Sequence, residues 1–409
     1  MNKHNRVFFC YYIIMLAIHL LLPLEWADDK IFLERVVQTT LQQFINGSAR
    51  PITDSLTYIF ASFPLMWRIL NPMVLTLSAK LLSEFLPSNN VNKNKLNIFI
   101  CIAVIYPSLV TVDAGFIATT VNYLWPFTAG LITLIPLKKL SENKIIFFYD
   151  YLYSIPATLC AVNMQQTAAC LTAVFFSSII YSGIKKKLSF YPLFQFFLSF
   201  VSSVFILYIN TVGSNNRMMR EASRYFPSFS ELNLFQKAEL GFSSTFYCMT
   251  METRFAFFAF ALFTLYIAVK VLKSKTKIFN KIISSFPFCF TILIGCFSVT
   301  PIEQTNLFSV ITGGMKHFRM NQAIYSFNLI PDLIFISIIA CIIVSMYITL
   351  YKKEFIIGLF ILAIGICSRI IMGFSPTVWA SGYRTFFILF ISFISLIVLI
   401  SDSKKPQEI

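Results

Sequence analysis

Long apolar stretches alternate with short polar segments along almost the whole of this 409-residue chain. Most of the apolar stretches approach the roughly 20 residues that a helix needs to cross the hydrocarbon core of a bilayer. The pattern therefore predicts about twelve transmembrane helices. Their expected bounds are roughly 7–24, 66–86, 96–112, 123–137, 146–162, 167–184, 189–209, 254–272, 282–299, 330–350, 355–372 and 384–401.

Two details of this pattern admit other interpretations. The neighbouring stretches 146–162 and 167–184 also fit a re-entrant hairpin. The first stretch could be a signal peptide, but Pro23-Leu24-Glu25-Trp26 lacks the small residues of a cleavage site, so a retained span is expected.

Composition supports the membrane interpretation. The mean hydropathy is +0.73, 57% of the residues are hydrophobic and 12% are charged. A soluble domain could not bury so much apolar surface, so we expect one all-α, polytopic integral membrane domain over residues 1–409. The net charge of +15 would also suit a nucleic-acid-binding protein. The lysines, however, occupy short loops between apolar stretches, as the positive-inside rule predicts, so no nucleic-acid partner is expected.

The sign of the charge alternates from one polar segment to the next. If the N-terminus is cytoplasmic, the inner segments hold 19 of the 33 basic residues, and an even number of spans returns the C-terminus to the cytoplasm. The outer segments and their edges hold 12 of the 18 acidic residues: Glu25, Asp28, Asp29, Glu34, Asp54, Asp113, Glu221, Glu231, Glu239, Glu252, Glu303 and Asp332.

The outer segments are also the longer ones, which predicts that function lies on that face. They cover about 25–65, 113–122, 210–253, 300–329 and 373–383.

The usual signatures of cofactor or metal chemistry are missing from the sequence. The three histidines are scattered, and there is no phosphate-binding glycine loop and no serine-nucleophile elbow. Eight of the nine cysteines lie in or beside apolar stretches, so we interpret the cysteines as small buried hydrophobic residues. No cofactor and no metal site are expected, although Asp28 and Asp29 could hold Mg²⁺ together with a substrate phosphate.

Asp28 and Asp29 are the candidate catalytic residues. They follow the first apolar stretch, and two adjacent carboxylates at a membrane surface favour a raised pKa and hence a general base. The alternative is that one of them caps a helix predicted from Lys30 to Phe44.

Arginines near the outer surface are candidates for binding a phosphate. Arg50 follows a predicted turn, but it could instead pair with Asp54. On a helix, Arg217, Arg220 and Arg224 share one face, which would suit anionic lipid or a lipid phosphate. Glu221 could pair with Arg217 and Arg224, which weakens that case.

Two further arginines bracket the segment 373–383. Arg369 lies within a predicted span and Arg384 at the start of the next. They could clamp a polyprenyl phosphate at the interface, or simply extend their side chains towards it.

The segment from Gly373 to Thr385 resembles a motif, G-[FL]-S-P-T-[VI]-x-x-S-G-x-R-T, of the bacterial serotype-converting, phage-type O-antigen glucosyltransferases and related membrane proteins. Three other segments fit the same resemblance, which spreads over nearly the whole chain. They are Asp28-Asp29, Ala118 through Pro126, and Gly213 through Pro227 with its Asn216, Arg217 or Arg220, and Glu221 core. The segment Asn163 through Gln166 departs from relatives that carry an acid where Gln165 stands, which puts a catalytic role for that loop in doubt.

The resemblance implies a glycosyltransferase similar to the GT-C architecture, in the bacterial inner membrane. Its donor would be a polyprenyl-phosphate sugar such as undecaprenyl phosphate glucose, and its acceptor an O-antigen of lipopolysaccharide or a similar surface polysaccharide. It places Asp28 and Asp29 at the acid position of the first outer loop and makes arginines hold the phosphate. It also makes Asn122, Trp125 and Tyr383 candidate substrate-binding residues, although each aromatic ring equally suits an interface belt.

Three other functions stay open. An O-antigen polymerase or ligase would share the outer loops and arginines but would use lipid-linked oligosaccharide donors. A lipid-linked oligosaccharide flippase would need charges deep among the spans, where the sequence offers few, such as Lys80 and Arg369. A structural or immunity protein of the membrane would need none of these residues for chemistry.

Overall fold

The computed structural model describes residues 3–46, 48, 50–86, 93–110, 112–212, 217–299, 325, 327 and 329–403. Every regular element among these residues is a helix. Helices suit an apolar chain in lipid because they satisfy all backbone polar groups within one segment. Gly213 through Asn216, most of the predicted outer segment 300–329, and Lys404-Lys405 lie outside the described residues.

The chain divides into two compact units, each described here by itself. Unit 1 is Met1–Phe85 with Lys93–Arg217, and unit 2 is Leu86–Asn92 with Met218–Ile409. The helices of unit 1 are α1 (Lys3–Leu21), α2 (Ala27–Gln38), α3 (Leu41–Ile45), α4 (Pro51–Ser62), α5 (Pro64–Phe85), α6 (Lys93–Val110), α7 (Phe116–Ser141), α8 (Phe148–Val162), α9 (Gln165–Ile184) and α10 (Phe190–Val212).

Unit 2 follows the same pattern of long apolar helices. Its helices are α11 (Arg217–Tyr225), which starts at the last residue of unit 1, then α12 (Leu234–Thr250), α13 (Phe255–Leu272), α14 (Ile278–Val299), α15 (Leu329–Thr349), α16 (Lys352–Ile370) and α17 (Phe387–Asp402). In this unit α12 packs against α13, α16 and the short turn Ile371–Phe374, while α16 packs against α17.

The prediction of a helical, multi-pass membrane protein is confirmed. Each of the twelve predicted spans coincides with a helix, and nine helices of the described chain are long and apolar enough to cross a bilayer. The other three are α1, α5 and α8, and α8 has only 15 residues. The helix pair α8 and α9 is joined at Asn163 and Met164.

Helix α10 shows how these helices are oriented towards lipid. Large apolar side chains such as Phe200, Val201 and Phe205 are exposed, whereas Gln195 is fully buried. The Gln195 amide donates to Ser154 Oγ at 2.9 Å and accepts from Thr158 Oγ1 at 2.6 Å. Polar contacts thus hold helices together inside the unit, and apolar side chains face outwards.

Three local expectations are wrong. The predicted helix from Lys30 to Phe44 is two helices, α2 and α3, separated at Thr39 and Thr40. The segment 113–122, expected to be an outer loop, is helical from Phe116 onwards. Several cysteines are exposed rather than buried, because they lie on the lipid-facing sides of apolar helices: Cys10, Cys289, Cys296 and Cys367.

Candidate functional site

Asp29 is held at the N-terminus of helix α7. Its side chain is fully buried, Oδ2 accepts from the backbone N–H of Ile117 at 2.9 Å and Oδ1 accepts from Ala118 N–H at 2.8 Å. The first N–H groups of a helix have no acceptor within the helix and carry partial positive charge. A carboxylate supplied by another segment satisfies both needs with charge-assisted hydrogen bonds.

Gly115 makes room for this carboxylate. Its φ of +105° lies in a region that residues with a side chain rarely adopt, and a Cβ there would stand 2.6 Å from both Cγ and Oδ1 of Asp29. The glycine that precedes α7 is therefore as necessary to the contact as the acid itself.

The two aspartates occupy different environments. The N-cap of α2 is Trp26, whose side chain makes no capping hydrogen bond, and both aspartates lie in the first turn. The expectation that one of them caps its own helix is wrong, since Asp29 binds α7 instead. Successive helical residues point about 100° apart, and Asp28 is accordingly half-exposed whereas Asp29 is buried.

Burial raises the pKa of the Asp29 carboxyl to about 6, and the charge of Asp28 acts in the same direction. The hydrogen bonds from the first backbone N–H groups of α7 oppose the increase. Burial dominates because removing a carboxylate from water penalises its charged form.

A chain of hydrogen bonds leads from Asp29 to Arg50. Ala118 donates its backbone N–H to Asp29, and its carbonyl accepts from Asn122 Nδ2 at 2.8 Å. Asn122 Oδ1 in turn accepts from Arg50 Nη1 at 3.4 Å. Three candidate residues that are far apart in sequence, Asp29, Arg50 and Asn122, therefore meet around the first turns of α7.

The start of α4 fixes the backbone of Arg50. Its N–H donates to Ser48 Oγ at 2.9 Å, and the Ser48 hydroxyl donates to the Asp54 carboxylate. The next orphan N–H of α4, that of Ile52, donates to Asn163 Oδ1 at 3.0 Å. The sequence singles out the segment that Asn163 begins but not its contact with Ile52, because the two positions are separated by more than one hundred residues.

The indole N–H of Trp125 belongs to a polar network inside unit 1. Its indole Nε1 donates to Asn71 Oδ1 at 3.0 Å, and Asn71 Nδ2 lies 3.0 Å from His19 Nε2. The His19 Nδ1 lies 2.7 Å from the Met15 carbonyl oxygen. Asn71 and His19 are buried, and no sequence pattern indicated a role for either of them.

Helix α7 passes through a π-helical turn, Thr120–Leu124, which contains Asn122 and ends just before Trp125. Such turns are rare and concentrate at functional sites. Here Trp67, fully buried, donates its indole N–H to Thr120 Oγ1 at 3.0 Å. The π turn thus carries Asn122 and directly precedes Trp125.

In unit 2, Arg369 is buried and holds the segment that follows it. The side chain is 1% exposed, Nη2 donates to the Val378 carbonyl at 3.1 Å, and the guanidinium lies 4.7 Å from the centre of the Phe386 ring. Arg369 therefore links the end of α16 to the loop and to the turn before α17. Arg384 and Tyr383, its predicted companions, are half-exposed.

The motif between Arg369 and Arg384 is largely explained by its own hydrogen bonds. Ser375 Oγ lies 2.9 Å from Thr377 Oγ1, to which the Ser381 hydroxyl donates at 2.8 Å. The Val378 N–H donates to the Ser375 carbonyl at 3.1 Å, and Gly382 has a φ of +60°. These residue types are those that a compact loop with a left-handed exit requires.

The predicted basic helix is present as α11. Arg220 and Arg224 are exposed, Arg217 is half-exposed and Ala222 is buried. Arg224 lies with its guanidinium 5.0 Å from the centre of the Tyr225 ring. Ala222 packs with Phe226 and Phe229, which fixes the buried side of this segment.

The candidate residues thus divide between the units. Unit 1 brings together Asp29, Arg50 and Asn122, with Asp28 beside Asp29. Unit 2 contains Arg220, Arg224, Arg369, Tyr383 and Arg384. No protein-family model, no curated protein and no solved structure matches this chain.

Proposed function

We propose that this chain is a GT-C-like membrane glycosyltransferase. It moves a hexose, such as glucose, from a polyprenyl-phosphate sugar to O-antigen or a similar surface polysaccharide. The observation that carries the proposal is the hydrogen-bonded chain from Asp29 through Ala118 and Asn122 to Arg50. It sets an acidic group and a guanidinium around one helix start, beside the half-exposed Asp28. A sugar transfer from a lipid phosphate needs both kinds of group.

Asp28 is the general base of this proposal. The acceptor hydroxyl gives its proton to the Asp28 carboxylate while its oxygen attacks the anomeric carbon. The bond between the anomeric carbon and the phosphate oxygen breaks, and the electron pair stays on the polyprenyl phosphate. Asp28 takes this role rather than Asp29 because both oxygens of Asp29 already accept backbone hydrogen bonds inside the protein.

Asp29 is a positioning residue in the same proposal. By binding the N-terminus of α7 it fixes the first turn of α2, and hence the direction of Asp28. Catalytic groups must be held within a fraction of an ångström of their productive geometry, which a buried anchor one residue away provides. Adjacent acids therefore divide the work of support and chemistry.

Arginines supply the positive charge for the leaving lipid phosphate. Arg50 is the candidate in unit 1, and the exposed Arg220 and Arg224 and the half-exposed Arg384 are the candidates in unit 2. Arg217 belongs to the same stripe as Arg220 and Arg224. Arg369 is buried on Val378 and Phe386, so it supports the loop that presents Arg384 rather than contacting phosphate.

The proposal also fixes an orientation and a compartment. The chain lies in the bacterial inner membrane with both termini in the cytoplasm, so that Asp28 and the arginines face the periplasm. The distribution of lysine among the short segments supports this orientation. Sugar transfer on that face, followed by export of the polysaccharide, would convert the serotype of the cell.

The deciding experiment compares the surface polysaccharide of bacteria with and without this chain by mass spectrometry of the repeat unit. We expect a gain of one hexose per repeat, which is lost in Asp28→Asn and kept in Glu34→Gln, an exposed acid on the same helix. Protein level in the membrane is measured in parallel, so that lost activity is separated from lost protein.

Other outcomes select the other functions. An unchanged repeat mass with an altered chain length would identify a polymerase or ligase, and transfer from a purified monosaccharyl-phosphate lipid would then be absent. No change in the polysaccharide, with accumulation of lipid-linked oligosaccharide on one face of the membrane in cells lacking the chain, would identify a flippase.

A further inference from the structure

In unit 2, aromatic rings of helix α12 contact rings that lie in helix α15 or just before it. The rings of Phe235 and Phe327 have centroids 6.3 Å apart, and those of Phe242 and Phe335 are 6.4 Å apart. One turn further along α12, Phe246 stacks on Phe335 at 4.5 Å. The pairs succeed one another in the same order along both segments, so the residues between them belong to the same region of contact.

Glu239 and Asp332 lie between these aromatic pairs. Glu239 precedes Phe242 by three residues, and Asp332 precedes Phe335 by three residues. Residues three apart on a helix share a face, so Glu239 lies on the face of Phe242 and Asp332 on the face of Phe335. They are 9% and 7% exposed, and Glu239 acts electrostatically on Asp332.

Each acid has an oxygen that accepts no hydrogen bond. Within the described chain, Glu239 Oε2 and Asp332 Oδ1 are buried and have no hydrogen-bond partner. The hydroxyls of Tyr325 and Ser243 hydrogen-bond to Glu239, and burial nevertheless raises the pKa of its carboxyl. No ion pair among the described residues includes either acid.

Among the described residues, the lysine nearest to Glu239 in sequence does not pair with it. Lys237, two residues before Glu239, places its ammonium group 4.8 Å from the centre of the Phe229 ring. A shared proton would appear as a hydrogen bond between the two carboxyl groups, and no hydrogen bond of the described residues joins them. A buried carboxyl group with an unused lone pair is satisfied either by a proton or by a positive group, and one cation that contacts both acids would satisfy the pair.

We propose that Glu239 and Asp332 together bind a divalent metal ion of the oxygen-preferring class, Mg²⁺ or Mn²⁺. Such ions are held by one or two carboxylates while keeping several waters, so two acids suffice. Tyr325 donates to Glu239 and orients it, as outer partners of metal ligands do. The sequence predicted no metal site, because the two acids are more than ninety residues apart. The site does not depend on the sugar-transfer proposal.

The test is Mn²⁺ binding to the purified full-length protein in detergent, followed by electron paramagnetic resonance, with thermal unfolding in EDTA or Mn²⁺ as a second readout. We expect one bound Mn²⁺ per chain and a higher Tm with the metal. Glu239→Gln and Asp332→Asn keep the side-chain shape. Each is expected to weaken Mn²⁺ binding by at least the roughly 10- to 100-fold that loss of an outer-shell partner costs. Glu231→Gln, an exposed acid of the same unit, is the matched control and keeps the site.

Two results overturn the proposal. The first is unmodified protein that binds no Mn²⁺ and has the same Tm in EDTA and Mn²⁺, which needs no variant to fold. The second is equal Mn²⁺ binding by the unmodified protein and the Glu239→Gln/Asp332→Asn double variant. Absence of sugar transfer by unmodified protein that binds Mn²⁺ would overturn the proposed function and leave the metal site standing.

Discussion

Gly373 packs its backbone directly against that of Gly241. A Cβ atom on Gly373 would overlap the Lys237 carbonyl oxygen and the Gly241 amide nitrogen, and a Cβ on Gly241 would overlap the Ile370 carbonyl oxygen. Helix α12 thus contacts the turn after α16 with no side chain between them. This contact accounts for the glycine that begins the motif Gly373 through Thr385.

Replacing Gly373 by alanine is therefore expected to lower the stability of unit 2. Overpacking a filled core costs about 1–3 kcal/mol, and a clash with backbone that cannot rotate away lies at or above the upper end. The measurement is thermal unfolding of purified protein in detergent.

Gly183→Ala is the matched control for this prediction. Gly183 is also helical, but nothing lies within 4 Å of a Cβ built there. Alanine favours a helix over glycine by roughly 1 kcal/mol, so this variant is expected to have an equal or higher Tm. Equal Tm values for Gly373→Ala and the unmodified protein would contradict the close contact.

Removing the Asp29 carboxyl is expected to destabilise unit 1. In Asp29→Ala the buried N–H groups of Ile117 and Ala118 lose their acceptor. Hydrogen bonds to charged groups contribute about 1.5–3 kcal/mol, and unsatisfied buried donors cost a similar amount. The free energy of unfolding measures the loss, and Glu34→Ala, an exposed acid of the same helix, is expected to change it little.

Gly115→Ala tests the same contact from the other side. Because its Cβ would meet the Asp29 carboxyl, we expect the losses in Gly115→Ala and Asp29→Ala to be non-additive in the double variant. Additive losses would show that the two residues act independently.

The raised pKa of Asp29 predicts how its contribution to stability depends on pH. The folded state holds the proton with a pKa of about 6, above the ordinary value of 3.8. This contribution to folding is therefore complete below the ordinary value and is lost as the pH rises through about 6. The full effect is at most about 3 kcal/mol, since one pKa unit corresponds to 1.36 kcal/mol.

Asp29→Asn isolates this effect because an amide does not titrate in the same range. The difference in Tm, unmodified protein minus Asp29→Asn, is expected to be larger near pH 4.5 than near pH 7.5. Glu34→Gln should show no such trend. A difference that grows towards pH 7.5 would mean that the α7 amide groups, and not burial, control this carboxyl.

Much of the fold was predictable because it depends on local runs of apolar residues. Runs of apolar residues gave the span near Phe255–Leu272 and that near Leu329–Thr349 to within a residue. The start of α7 was missed because Thr119, Thr120 and Asn122 make its first turns polar. In the structure Asn122 contacts Arg50 and Thr120 contacts the buried Trp67, so these polar turns belong to the helix and do not form a loop.

The contacts that define the site depend on chain segments that are far apart. No sequence pattern near Asp29 indicates that its carboxylate oxygens accept hydrogen bonds from Ile117 and Ala118. None near Asp332 indicates that it interacts with Glu239. Arg369 was recognised as unusual because of its place in a span, but its partners, a carbonyl and a ring, have no signature in sequence. The residue types at these positions indicated candidate functional residues. Which residues contact one another depends on how the helices pack.

Substitutions of the two arginines that bracket the motif, Arg369 and Arg384, are expected to have different effects on stability. Arg369→Lys removes the planar group that lies on Phe386 and donates to Val378, and lysine does not reproduce that geometry. We expect a lower Tm and faster proteolysis in the loop 375–381. Arg384→Gln changes a half-exposed side chain, so its Tm should stay close to that of the unmodified protein.

Under the proposed function, Arg384→Gln would instead raise the KM for the polyprenyl-phosphate sugar, because a charge-assisted contact to phosphate is lost. Arg369→Lys would lower the amount of active protein without changing that KM. A higher KM in Arg369→Lys at unchanged Tm would assign phosphate binding to Arg369, and would require the guanidinium to leave Phe386 when the donor binds.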